Sequence, residues 1–533
     1  MSVLLATVLT INATFSTAAI KSHIRFLADD LLEGRGTGTR GHLIAANYVA
    51  AQFEAAGLET SFQDVPFLET VPSAESTVTL MRDGAEPVTL RVFDAFVTQG
   101  DPLKGESVIE APVVFAGYGV TAPDRGYDDY AGLDARGKIV AIFTGAPPAL
   151  PNAIRAHHSS SLNKIENAAK HGAAAMITLE SPKEALRAPW PRVVRQSKLG
   201  SMQWRRADGT PYAVNPALSL TVGFNLESTK LLFDNEAEAV FASLDKSQPR
   251  ADPLRLRARI RVLSKHRTLT SPNVIGILRG SDPKLRDEYV VYSAHLDHLG
   301  ITEPVNGDAI NNGALDNSTG IASIIEIARA FAALPERPRR SILFLATTGE
   351  EKGLKGADYF VNNPPVPFDA LVADINIDML LLLHRTSDVV VFGVDWTELG
   401  DMARRAAREM DLEISEDRFP EEVVFIRSDQ YPFIRKGIPA IFANSGYKAV
   451  DPDANKAALA KLQEFLLVLA FAAPDDGSQD RELSPLVRGE DRVDDLLRRL
   501  RSDRLATVVA IRFRDPRIEE PEVIVNLGDC AHR

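Results

Sequence analysis

His295, Asp297, His298, Asp316, Glu350, Glu351 and Asp378 are side chains that bind cations or move protons, and they fall in one stretch of the chain. Most of them obey one pattern, a strongly apolar run that stops on a metal-type side chain. Tyr289-Val290-Val291-Tyr292-Ser293-Ala294 runs into His295-Leu296-Asp297-His298. Ser341-Ile342-Leu343-Phe344-Leu345-Ala346 runs through Thr347-Thr348-Gly349 into Glu350-Glu351. Ala373-Asp374-Ile375-Asn376-Ile377 ends on Asp378, and Asp316 opens a helical segment between the first two runs. Buried strands do not casually end in paired acids, because desolvating a lone carboxylate is expensive. Cations explain such a cluster, and the chemistry they imply is metal-dependent hydrolysis.

Hydrolysing an amide at neutral pH needs a strong nucleophile and a stabilised oxyanion. Two metals roughly 3.5–4 Å apart supply both. Asp316 suits the bridging carboxylate, with Asn317-Ser318 placed to cap the helix that follows. His295 and Asp378 suit one metal, and Glu351 suits the other. Glu350 suits the general base that takes the proton of the attacking water. Asp297 suits a supporting role, holding a ligand imidazole in one tautomer. Each of these residues alone reads as an ordinary loop charge; the set does not. His157, His158, His171 and His298 lack a comparable context and read as surface or loop histidines, with His298 the least secure of these four assignments.

These residues need a frame that brings strand ends together. From about 256 to 445 buried strands alternate with helices, which predicts an α/β fold with a mostly parallel, mixed sheet flanked by helices on both faces. Sites in such sheets lie beyond the C-terminal strand ends. Ser318 to Leu334 and Thr397 to Met410 read as amphipathic helices, and residues 20 to 58 read as helical around the glycine-rich stretch Gly34 to Gly41. Residues 60 to 107 read as short strands. Residues 108–255 read as a separate unit, much of its second half a proline- and arginine-rich loop such as Ala188-Pro189-Trp190-Pro191-Arg192. After Ala473-Pro474-Asp475-Asp476-Gly477 the character changes to a charged tail, residues 474–533.

At 533 residues two or more folding units are expected. A hydrophobic share of 45% with 25% charged residues is that of an ordinary globular protein. The net charge of -12 argues against nucleic acid or an anionic membrane as partner. The lone Cys530 excludes an intrachain disulfide and a multi-thiolate metal site. Residues 1–19 resemble a short secretory signal with an alanine-rich cleavage region, although the first lysine is Lys21. The expectation is therefore a secreted or periplasmic protein without stable membrane insertion.

His295-Leu296-Asp297-His298-Leu299-Gly300, Gly313-Ala314-Leu315-Asp316-Asn317-Ser318, Thr348-Gly349-Glu350-Glu351-Lys352-Gly353 and Asn376-Ile377-Asp378-Met379 together resemble the M28 family of zinc aminopeptidases. Asp30-Leu31-Leu32-Glu33-Gly34-Arg35 is similar to the start of that family's peptidase domain, and residues 108–255 resemble the protease-associated (PA) domain often inserted in it. The resemblance implies a phosphorylase/hydrolase-like zinc peptidase fold over 20–107 and 256–473, with a β-rich PA insert. It implies two zinc ions: His295, Asp316 and Asp378 on one; Asp316, Glu351 and a second histidine on the other; Glu350 as base. The implied substrates are peptide or protein N-termini. The family's second histidine follows a segment like Gly437 to Phe442, but here Lys448 stands in its place. No histidine occurs between His384 and His532, which leaves Asp429, Asp451 or His532 as stand-ins. The alternative implied by that gap is a catalytically impaired pseudoenzyme or a binding protein of the same fold.

Overall fold

The computed structural model describes residues 13–450, except 213, 247–251, 306 and 381–385, together with residues 525–526. The expectations for the N-terminal signal, the tail 474–533, His384, Asp451 and His532 therefore lie outside the described residues, apart from the tail's 525–526 and the part of the signal segment from residue 13.

The chain opens with helix α1 (Thr17–Leu27), capped where Ser16 Oγ accepts a hydrogen bond from the Ala19 amide at 3.2 Å. Helix α2 (Arg40–Ala55) follows, capped in the same way by Thr39, whose Oγ1 accepts from the His42 amide at 3.3 Å. Its buried face carries Ala45, Ala46, Val49 and Phe53. Strand β1 (Glu59–Pro72) then runs antiparallel to the very long strand β2 (Asp252–Leu278).

Beyond β2 come β3 (Tyr289–His295), helix α3 (Thr319–Ala332), β4 (Ser341–Thr347), β5 (Leu371–Ile377), β6 (Asp388–Phe392), β7 (Glu413–Ser415) and β8 (Ala440–Ser445). Across the sheet the order is β7-β6-β8-β5-β3-β4-β2-β1. The pairs β4–β3, β3–β5 and β5–β8 are parallel, while β2 meets β4 and β6 meets β8 antiparallel. Every residue of β3 and β4 is buried, as expected of central strands covered on both faces. One face packs under α1, α2 and α3 through Ile321, Ile324, Ile325 and Phe331. The other packs against Phe360, Phe433 and Ile438 from the helices Lys355–Asn362 and Gln430–Arg435 and the turn that follows. This is the α/β sheet with helices on both faces that the periodicity predicts.

The second unit has its own core, built from Val78, Phe96, Val113, Ile139, Ile177, Val222 and Ile260. Its strands Ile139–Phe143, Ala175–Leu179 and Thr221–Phe224 are parallel neighbours. The expected boundaries at 108 and 255 fall inside this core, because Val78 to Phe96 and Leu256 to Val262 belong to it. The reason is β2: its first half pairs with Glu106–Phe115 in the second unit and its second half with β1, with no linker between. The unit is also less purely β than expected, since Ser161–Lys170, Leu226–Phe233 and Ala237–Asp245 are helices. Trp190–Lys198, read as loop, is a helix as well. Pro191 falls in its first turn, where a missing amide costs nothing.

Gly41 shows how tightly the N-terminal segment is laid down. A Cβ built there would stand 1.7 Å from the backbone oxygen of Leu32. In most helices Gly→Ala is worth up to about 1 kcal/mol in favour of alanine. Here Gly41→Ala is expected to destabilise the protein, with a lowered melting temperature as the measurement.

Candidate metal centre

Parallel neighbours β3, β4 and β5 end on the same edge of the sheet, and that edge gathers the chemistry. β3 delivers His295 itself, with Leu296, Asp297 and His298 in the turn beyond. β5 delivers Asp378 as the next residue. β4 passes through Gly349, whose φ of +66° suits a residue without Cβ, and turns Glu350 and Glu351 inward. Asp316 arrives from the short turn Ala314–Ser318 before α3. Asn317 secures that turn: its side-chain oxygen accepts from the Gly320 amide at 2.9 Å and its NH2 donates to the Ile377 carbonyl at 2.9 Å.

The side chains form two groups that share Asp316. In the first, His295 Nε2 lies 3.0 Å from Asp316 Oδ1 and 3.2 Å from Asp378 Oδ1. In the second, His298 Nδ1 lies 2.6 Å from Glu351 Oε1 and 3.9 Å from Asp316 Oδ2. The two oxygens of one carboxylate thus face different imidazoles. Within each group the donor atoms lie within 4.8 Å of one another. Nitrogen and oxygen donors at that spacing are the set zinc takes, so the residues fit the metal that the sequence motifs imply.

Supporting contacts come from a segment far away in sequence. Arg35 is fully buried, and its guanidinium donates from Nε to the Leu296 carbonyl at 2.9 Å, from Nη1 to Asn312 at 2.7 Å and from Nη2 to Gly313 at 3.0 Å, with a further bond to Leu27. One side chain therefore ties the turn carrying Asp297 and His298 to the turn carrying Asp316. Asp297 works differently from the expected imidazole clamp. Its backbone carbonyl accepts from His295 Nδ1 at 3.0 Å, while its carboxylate accepts from Thr37 Oγ1 at 2.8 Å and from the Glu350 amide at 3.1 Å. It sets the tautomer through the main chain and uses its charge to anchor the Glu350 turn. Ser428 Oγ donates to Asp378 Oδ2 at 2.7 Å and orients it.

The electrostatics are those of crowded acids. Burial pushes the Glu350 carboxyl well above its usual range, and Glu351, Asp378 and Asp429 add to the rise against the pull of His295. Glu351 is likewise raised by burial and by Asp316. Burial alone would lower His295, but Asp378, Glu350 and Asp316 raise it well above 6.5. Asp316 is held down to about 2: burial opposes this, while the His295 hydrogen bond and the charges of His298 and Arg35 win.

Three expectations are corrected here. His298 is no loop bystander; its side chain is 12% exposed and bonded to Glu351. Lys448 does not replace it: its ammonium pairs with Glu413 and its amide with Asp388. Asp429 is no stand-in ligand either, since it is fully buried and bonded to Thr347, and it belongs to neither donor group. Burial raises Asp429 to about 7, with Asp297 and Asp378 contributing. Arg35, Thr37 and Ser428 escaped the sequence reading because none is metal-type. His298 carried a signal, its position three residues after His295 at a strand end.

Comparison with known proteins places residues 273–462 in Peptidase family M28. The mouse protein "Aminopeptidase NAALADL1" is 35% identical over 123 residues, 22% of this chain and 15% of that protein. A "Probable zinc metalloprotease" of Pyrenophora teres f. teres is 34% identical over 107 residues, 20% of this chain and 22% of its own length. The matched segments thus span well under two thirds of these relatives. Among solved structures, the aminopeptidase from Aneurinibacillus sp. strain AM-1 is 22% identical, with a TM-score of 0.49 over 82% of this chain and 86% of that one. The zinc aminopeptidase of Bacillus subtilis is 19% identical, with a TM-score of 0.43 over 88% and 98%.

Arg35→Lys tests the tie between the two ligand-bearing turns. A lysine keeps the charge but not the fork of donors, so buried carbonyls lose partners. The expected cost is about 2–4 kcal/mol of stability in urea unfolding, accompanied by lowered zinc content.

Proposed function

From the peptidase family M28 domain that this chain carries over residues 273–462, we propose a zinc-dependent aminopeptidase that hydrolyses the N-terminal bond of peptides and proteins. The observation that carries this reading is the placement of Glu350 beside two imidazole–carboxylate groups joined through Asp316. His295, Asp316 and Asp378 would hold a zinc ion, with Glu351 at a second position. Zinc, when bound, supplies Lewis acidity that lowers the pKa of a water and polarises a carbonyl. Glu350 takes the proton of the attacking water and hands it to the leaving amine. Asp297 keeps Glu350 in reach through the amide it accepts. The cluster's negative charge suits a substrate that carries a free amine. The imidazole of His298 beside Glu351 supports this reading over the impaired-protein alternative. No helix among the described residues is long and apolar enough to cross a membrane. We further propose export through the N-terminal segment and a PA-like role for the second unit; N-terminal sequencing of the mature protein tests the first.

Glu350→Gln is expected to keep zinc and fold while losing at least about 100-fold in hydrolysis of aminoacyl amides. Undiminished turnover in that variant overturns the reading. A general base acts deprotonated, so activity must fall as pH drops through the Glu350 pKa. Acetylating the substrate's amine is expected to abolish cleavage, whereas retained cleavage would show an endopeptidase.

A further inference from the structure

We propose that His298 is the imidazole ligand of the second zinc, so that the site is complete without any histidine beyond residue 450. The inference rests on the zinc peptidase reading and concerns the same cleft. Among the described residues, the second position without His298 would offer only the carboxylates of Asp316 and Glu351. With it, both groups have the same makeup: one imidazole, the shared Asp316 and one further acid. Zinc sites draw on this kind of mixed nitrogen and oxygen set, with three protein ligands and one open position for water or substrate.

The imidazole is built into place from several sides. The His298 amide donates to the Arg35 carbonyl at 3.3 Å, and His298 bridges Gly36 in parallel register. Gly313 borders the ring: a Cβ there would stand 2.8 Å from His298 Cδ2 and 2.5 Å from Arg35 Nη2. Gly313 has φ of +63°, so that backbone too favours glycine. Nδ1 rather than Nε2 is the atom that faces Glu351 and Asp316, opposite to His295. A four-residue strand end thus sends one ring nitrogen to each group. Lys448, in the sequence position of the family's second histidine, is engaged with Glu413 on the edge strand β7. The two positions also differ in openness. Leaving out the shared Asp316, His298 and Glu351 are 12% and 17% exposed at the side chain, against 1% for His295 and 11% for Asp378. The second zinc should therefore leave first on titration with a chelator.

The test is zinc stoichiometry by elemental analysis on the full chain, with melting temperature as the control for folding. Wild type is expected to hold two zinc ions and His298→Ala one. Lys448→His is expected to stay at two, and so is the double variant His384→Ala/His532→Ala. Cobalt substitution gives a second readout, because the visible absorption of His298→Ala should lose the component that the chelator removes first. Two zinc ions in His298→Ala, or one in His384→Ala/His532→Ala, overturns this inference and leaves the peptidase reading standing. A wild type without zinc overturns both. If His298→Ala does not fold, the double histidine variant still decides: two zinc ions in it support the inference and one overturns it.

Discussion

Carboxylates packed together out of water repel one another, and that repulsion governs the sheet edge of this protein. Glu350, Glu351, Asp316 and Asp378 meet around two imidazoles, with Asp429 buried just behind them. At an effective dielectric near 20, like charges at about 4 Å oppose each other by roughly 4 kcal/mol. The raised carboxyls of Glu350 and Glu351 and the raised imidazole of His295 express that crowding, since each favours a bound proton. Metal ions answer the same repulsion with more charge in less space. The fold has to hold the acids in place against this force, which is why they sit at the ends of strands buried on both faces rather than in long loops.

Strand ends alone do not align two separate turns, and Arg35 does. It reaches from the segment between α1 and α2 and binds carbonyls in the turn after β3 and in the turn before α3. Burial pulls its guanidinium down to about 10, and Asp316, Asp297 and Glu351 counter that. A cation held there by main-chain oxygens eases the repulsion from behind without competing for the ligand atoms. The sheet edge thus depends on the N-terminal segment as well as on its own strands. The second unit is then a large excursion between β1 and β2 rather than a separable bead.

Much of this was legible in the chain. Tyr289–Ala294 and Ser341–Ala346 are continuous apolar runs, which only doubly covered strands sustain, so the parallel centre and its functional edge followed directly. The Ser318 to Leu334 periodicity gave the covering helix α3 to within two residues at each end. Other parts were hidden for physical reasons. β2 alternates Arg255, Arg257, Arg259 and Arg261 with apolar residues, and its length became visible only through its two sets of partners. Trp190-Pro191 looks like a break until Pro191 is placed in a first helical turn. Arg35 and Ser428 act through hydrogen bonds to groups remote in sequence, for which a single chain carries no pattern.

His298 shows where order in sequence and order in space part. Matching motifs sought the second imidazole at a fixed place after Gly437–Phe442, and Lys448 in that place suggested a loss. A metal ion has no such preference; it requires donor atoms of suitable kind within a few ångströms. The turn after β3 already passes beside Glu351, because β3 and β4 are parallel neighbours in register from Tyr289–Ser341 to His295–Thr347. Three residues past the last strand position the chain has turned back on itself, and a histidine there falls on the far side of Asp316 from His295. The geometry that makes His295 a candidate therefore makes His298 one as well.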